Sequence, residues 1–251
     1  MMFICLESIV LYGNLDQYTH ILIYTSTPFM NIIKKHKLFN DQQMKFEIND
    51  TYHDIDQACK ARLDIFDLSI QQYDKILYLD TDILIKDSIN KVFDLCKKDV
   101  LYVLEEGHIN HNHRTDYWGK LLFNKQELIK YKNKTAFISG IILFNNCKKI
   151  KFLFDEIKKD IHKRPHNFHD QPYIIYNAFK YNLYDNQALK LFVVNNNFDI
   201  KSNKVIHHFP GGPGIHQHKI TYMKRFLKSM KTRKIYMNGI KNHSSSSRMV
   251  G

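Results

Sequence analysis

Apolar residues along this chain alternate between a helical spacing and short β-rich runs. Phe3, Leu6 and Val10 recur at helical intervals with Ile9 beside them, and Gly13 is placed to stop that helix. Residues 21–24 in "HILIYTS" form a β-rich run, and "TPFMNIIKKHKLF" returns to a helical pattern with Pro28 in its first turn. In "DIDQACKARLDIFDL", Ala58, Ala61, Ile65 and Leu68 share one helix face. "KILYLDTDILI" follows as a strand apolar on both sides, as strands of a buried parallel sheet are. "DVLYVLEE" and "AFISGIILFNN" predict two more strands, "CKKIKFLFDEIKKDI" and "DQPYIIYNAFKYN" two helices, and "LKLFVVN" and "KVIHHF" two short strands. A basic helix, "KITYMKRFLKSMKTRKIY", closes the pattern.

Such alternation predicts an α/β fold with a mostly parallel sheet covered by helices on both faces. No repeat or linker divides the chain, so residues 1–235 read as a single domain. Residues 236–251, with the low-complexity end "KNHSSSSRMVG", read as a disordered tail. The pattern opens with a helix, whereas doubly wound folds open with a strand.

Composition narrows the function classes. The chain has 251 residues, 44% hydrophobic and 13% aromatic, enough for a substantial core. Lys and Arg number 37 against 25 Asp and Glu, a net charge of +12 that favours acidic partners. No basic stripe interleaved with aromatics appears, so nucleic acid is not an expected partner. Cys5, Cys59, Cys96 and Cys147 are widely spaced, without the pairing of a zinc site or a disulfide scaffold. Together with the lack of a signal segment or an apolar run of about 20 residues, this predicts a cytoplasmic protein without an integral membrane segment.

Three stretches carry candidate chemistry. Asp80 and Asp82 flank Thr81 at the end of an apolar run, where paired carboxylates suit a hard divalent cation; turn or cap formation is the plainer alternative. "VIHHFPGGPGIHQHK" combines His207, His208, Gly211 and Lys219, and glycine amides with a lysine suit phosphate. "HDQPYIIYN" places Asp170 and Gln171 at a helix start, where Asp also serves as a cap. Elsewhere, His108, His111 and His113 lie in a loop of irregular spacing, and Trp118 has two readings, an acceptor-stacking ring or a core residue. The basic "KRFLKSMKTRK" reads as a solvated helix face, with attachment to a membrane surface as its alternative.

The order of "YDKILYLDTDILI", "FISGIILFN", "HDQPYIIYN" and "IHHFPGG" followed by Lys219 resembles glycosyltransferase family 8, from about Phe3 to Phe226. The resemblance implies a Rossmann-like GT-A fold. It implies a retaining transferase that moves a hexose from a UDP-sugar to an acceptor, with Mn²⁺ or Mg²⁺ as cofactor. Asp80, Asp82 and His208 would be metal ligands, with His207 the rival to His208. Arg62, with Lys60 as its competitor, would reach the donor, as would Asp80 and Thr81. Gly211 and Lys219 would hold the diphosphate. Asp170 would bind donor-sugar hydroxyls, and Gln171 would sit by the reacting carbon. Three departures stand out: Ile138 where many relatives carry Asn, the long spacing from Gly211 to Lys219, and a start that falls after the family's first strand. The first and the last support the alternative of a truncated, catalytically inactive binding or remnant protein.

Overall fold

The computed structural model describes residues 1–52, 55–109, 116, 118–195, 201–211 and 216–245, and the side chains of these except 55, 56, 216, 217 and 235–245. In chain order the elements are α1 (Met2–Tyr12), β1 (Ile21–Thr25), α2 (Thr27–Lys34), β2 (Met44–Ile48) and α3 (Ile55–Lys60). A 3₁₀ segment (Ala61–Asp67) leads to β3 (Lys75–Leu79), β4 (Ile83–Ile85), α4 (Asn90–Phe93) and β5 (Leu101–His108). After them come α5 (Lys125–Tyr131), β6 (Thr135–Asn145), α6 (Lys148–Lys163), α7 (Gln171–Tyr181) and β7 (Tyr184–Asp185). The last are β8 (Val193–Asn195), β9 (Ile206–His208) and α8 (His216–Ser245). No helix among the described residues is long and apolar enough to cross a membrane.

The chain divides into two compact units. The larger comprises Leu15–Asp80 and Asn90–Leu191; the smaller comprises Met1–Asn14, Thr81–Ile89 and Phe192–Gly251. Neither is a continuous stretch, so no linker marks the division in the sequence.

In the larger unit β1 and β2 pair in parallel, and a second sheet runs β3-β6-β5-β7. There β6 pairs antiparallel with both β3 and β5, and only β7 joins in parallel. The sheets are therefore mixed, not mostly parallel. β6, apolar but for Thr135, Ser139 and Asn145, is buried along almost its whole length, and burial on both faces erases alternation whatever the strand direction. α6 buries Ile150, Leu153, Phe154 and Ile157, the helical stripe its sequence carries, in the same core as Phe137, Phe144 and Tyr173. The helix expected over residues 54–68 breaks at Lys60, where α3 gives way to the tighter 3₁₀ turns that bury Leu63 and Ile65.

The smaller unit holds a sheet in the order β4-β9-β8, with β4 antiparallel and β8 parallel to β9. The run "KILYLDTDILI" is thus two strands in two sheets. Ile83, Leu84 and Ile85 are fully buried, and a continuous apolar pattern carries no mark of a change of partner. α8 lays Met223, Phe226, Leu227 and Met230 into a core with Leu84 and Phe209. Its backbone stays helical to Ser245, past residue 235 where the sequence predicted a tail. Among residues 236–245 only Gly239 strongly disfavours helix, and extending a formed helix is far easier than starting one. Gly13 does end α1, but in right-handed geometry, and the left-handed residue is Asn14 at φ 51°. Of "LKLFVVN", only the last three residues are strand; Leu189–Leu191 lie in a 3₁₀ turn.

Candidate active site

Each unit carries its own polar cluster. In the larger unit the cluster centres on Arg62, projected from the 3₁₀ segment. Its Nε lies 2.7 Å from Asp170 Oδ2, an ion pair out of line for a hydrogen bond. Nη2 lies 3.6 Å from Asp80 Oδ1, and Nη1 donates to the Ser139 carbonyl. The guanidinium rests 4.8 Å over the Tyr78 ring, and Tyr78 in turn donates its hydroxyl to Asp80 at 2.6 Å. Asp80 directly follows β3, and its amide's bond to the Gly140 carbonyl continues the strand pairing, so Tyr78 and Asp80, two apart, share a face.

Asp170 is 3% exposed and precedes α7, but its side chain makes no capping bond. The capping alternative is therefore not what the structure adopts. Burial pushes the Asp170 carboxyl above its ordinary range, and Arg62 offsets this only in part. Burial would lower the Arg62 pKa, but Asp170 and Asp80 more than reverse it and hold the guanidinium charged. His169, just before, has φ 28°, a strained conformation for a residue with a Cβ.

Gln171 opens α7, and its Oε1 accepts from both the Ser139 amide and the Ser139 hydroxyl, each at 3.1 Å. The Asp80 amide donates to Gly140 at 2.9 Å. Ser139 and Gly140 on β6 thus tie together Arg62, Asp80 and Gln171.

The smaller unit gathers Asp82, His208, Gly211 and Lys219. Lys219 Nζ donates to Asp82 Oδ2 at 2.8 Å and to the Gly211 carbonyl at 3.1 Å. His208 Nε2 lies 3.5 Å from Asp82 Oδ1, and His208 Nδ1 meets Asn195 Oδ1 at 2.8 Å. Since an amide oxygen only accepts, Asn195 keeps the proton on Nδ1. In the neutral ring this leaves a lone pair on Nε2, facing an Asp82 oxygen that is buried and has no hydrogen-bond partner. Two buried lone pairs in that relation are a donor set suited to a cation. Burial opposes charge on Asp82, but His208, when Nε2 also carries a proton, and the Lys219 ammonium outweigh it and hold the carboxyl down to about 2. Gly211, at φ 151°, takes a backbone conformation that residues with a Cβ rarely adopt.

β9 settles which histidine meets Asp82. Its side chains alternate, so His208 turns to Asp82 while His207, fully buried, packs 4.6 Å from the Phe226 ring centroid. Thr81 is exposed in the turn after β3. Among the described residues, no cluster of three or more His, Cys, Asp or Glu forms a ready metal cage.

Trp118 is 3% exposed in the core of the larger unit, and a Cβ on Gly107 would lie 3.1 Å from its indole. The core reading of Trp118 stands, and the acceptor-stacking one does not. His108 ends β5 as an exposed residue, whereas His111 and His113 lie outside the described residues. A separate open cleft of about 660 Å³ is lined by Asp116, Leu122, Lys163, Arg164, His166 and Phe168, among others, and by none of the predicted site residues. Sequence reasoning missed Tyr78 and Asn195. The two-residue spacing before Asp80 would have pointed to Tyr78; Asn195 has no local signal, because strand pairing with β9 alone brings it to His208.

Comparison with known proteins bears on the family and the fold. Residues 14–212 match the profile of glycosyl transferase family 8. The chain belongs to that family, and its fold is of the GT-A type. No curated protein matches it by sequence. Among solved structures it is similar to the apo WbbM bifunctional glycosyltransferase, with a TM-score of 0.57, 17% identity, and coverage of 92% of this chain and 49% of that one. Apo mouse xyloside xylosyltransferase 1 gives a TM-score of 0.52 at 13% identity over 82% of this chain and 90% of its own. Apo GlyE from Streptococcus pneumoniae TIGR4 gives 0.53 at 12% identity over 93% and 60%. The chain therefore spans about half of WbbM.

Proposed function

We propose that this protein is a retaining glycosyltransferase that moves a hexose from a UDP-sugar to an acceptor, with Mn²⁺ or Mg²⁺ as cofactor. The observation that carries the reading is the smaller unit's set of Asp82, His208, Gly211 and Lys219: an unpartnered carboxylate oxygen and an imidazole lone pair beside a buried ammonium. Asp82 and His208 fit a divalent cation, and Asp80, the other carboxylate of the motif, completes the ligand set by family resemblance. When bound, such a cation neutralises charge that builds on a diphosphate leaving group.

The protein's own groups divide the remaining work. Lys219 supplies a positive charge to the diphosphate, and the glycine at 211 admits close backbone approach. Asn195 fixes the tautomer and orientation of His208. Arg62 and Asp170 form a buried polar pair whose oxygens and N–H groups suit sugar hydroxyls or phosphate. Gln171 is a poor nucleophile: it is an amide, and its oxygen already accepts two bonds from Ser139. Retention then follows from attack on the face the leaving group departs, and a covalent glycosyl-enzyme trapped during turnover would contradict that route.

The test is calorimetry of UDP with and without Mn²⁺ on the unaltered chain and on Asp82→Asn. UDP is expected to bind only with the metal, and D82N to abolish that binding. Binding that is equal with and without metal, or absent in both, overturns the reading.

A further inference from the structure

Lys219 stands at an unusual place for a phosphate-binding lysine. It lies eight residues beyond Gly211, in the first turns of α8, and is 5% exposed. Its ammonium does not face solvent; it donates to Asp82 Oδ2 at 2.8 Å and to the Gly211 carbonyl at 3.1 Å. A buried ammonium needs an anion, and a largely buried carboxylate needs a cation. Each meets the other's need here.

We propose that Lys219 is a resident cation that guards Asp82 against a divalent metal until a nucleoside diphosphate arrives. The proposal rests on the reading that Asp82 is a metal ligand. A divalent cation approaching Asp82 alone meets Lys219 already bonded to one carboxylate oxygen, and two cations on one poorly solvated carboxylate repel. Lys219 can leave only if it finds another anion. The diphosphate provides one, so Lys219 exchanges Asp82 for phosphate and frees Oδ2 beside the already unpartnered Oδ1. Metal and nucleotide then bind with positive coupling, and by linkage each strengthens the other by the same factor.

The test compares Mn²⁺ alone, titrated calorimetrically, in the unaltered chain, in Lys219→Met and in Lys219→Arg. K219M is expected to bind Mn²⁺ about ten- to hundred-fold more tightly than the unaltered chain, the span set by losing one charge-assisted bond at the carboxylate. K219R, which keeps the cation, is expected to show no such gain. Equal Mn²⁺ affinity in K219M and the unaltered chain overturns the proposal. These titrations contain no nucleotide. A gain in K219M with no UDP binding by the unaltered chain therefore supports the guarding role while sinking the UDP reading. If K219M does not fold, the unaltered chain answers through the Lys219 ammonium signal in lysine-selective NMR. Mg²⁺ alone should leave that signal in place and Mg²⁺ with UDP should move it; displacement by Mg²⁺ alone overturns the proposal.

Discussion

Arg62 Nε and Asp170 Oδ2 meet 2.7 Å apart with side chains only 10% and 4% exposed. The pair fastens the 3₁₀ segment to the start of α7 within the larger unit. Breaking such a pair from the cationic side leaves a carboxylate stranded in a poorly solvated place. Arg62→Met is expected to destabilise the fold by about 3–5 kcal/mol, measured by urea unfolding at neutral pH. Because burial already raises the Asp170 pKa, the folded state of R62M binds a proton more readily than the unfolded one. Its stability deficit should shrink as pH falls toward the ordinary carboxylate value of 3.8. A deficit that stays constant with pH would show that Asp170 is not the group left unpaired.

The two neighbouring histidines are expected to differ sharply. His208→Ala should weaken Mn²⁺-supported UDP binding by about ten-fold or more, and Asn195→Ala should weaken it by about ten- to hundred-fold through loss of the ring's orientation. His207→Phe should leave that binding within about two-fold, because His207 packs on Phe226 rather than facing Asp82. Calorimetry of UDP with Mn²⁺ checks all three; a large loss in H207F with a small one in H208A would reverse the assignment.

Asp116 gives a second, separate pH signature. Its carboxylate accepts the Lys120 and Leu121 amides, each at 2.7 Å, and faces His166 Nε2 at 3.4 Å. Burial opposes its charge, but those bonds outweigh it and hold the pKa below 3.8. A depressed folded pKa stabilises the protein above the unfolded value, and that contribution is lost as pH falls through the folded one. Asp116→Asn should cost about 1–2 kcal/mol at pH 7 and lose less stability than the unaltered chain between pH 4 and pH 2, read from urea midpoints.

Trp118 is the chain's single tryptophan, so its fluorescence reports its surroundings directly. Native emission should be blue-shifted and resistant to acrylamide, and should turn red only on unfolding. Trp118→Ala should cost about 3–5 kcal/mol in urea unfolding. Strong acrylamide quenching in the native state would return this ring to the surface.

Local pattern was enough to read the α/β class, the stripe of α6, the proline start of α2 and most residues of the two polar clusters. It also marked Asp80 and Asp82 as carboxylates at the end of an apolar run, because a charge in such a place signals a partner elsewhere. Periodicity reports burial, and burial is blind to partner and direction. The strand ending at Leu79 and the strand starting at Ile83 therefore read as one, although they enter different sheets. The same blindness made an antiparallel β3 look parallel and kept His207 as a rival to His208 until β9 was given a face toward Asp82. Lys219 is the clearest case. Its charge was evident from the sequence, but only folding across 137 residues could decide that it rests on Asp82.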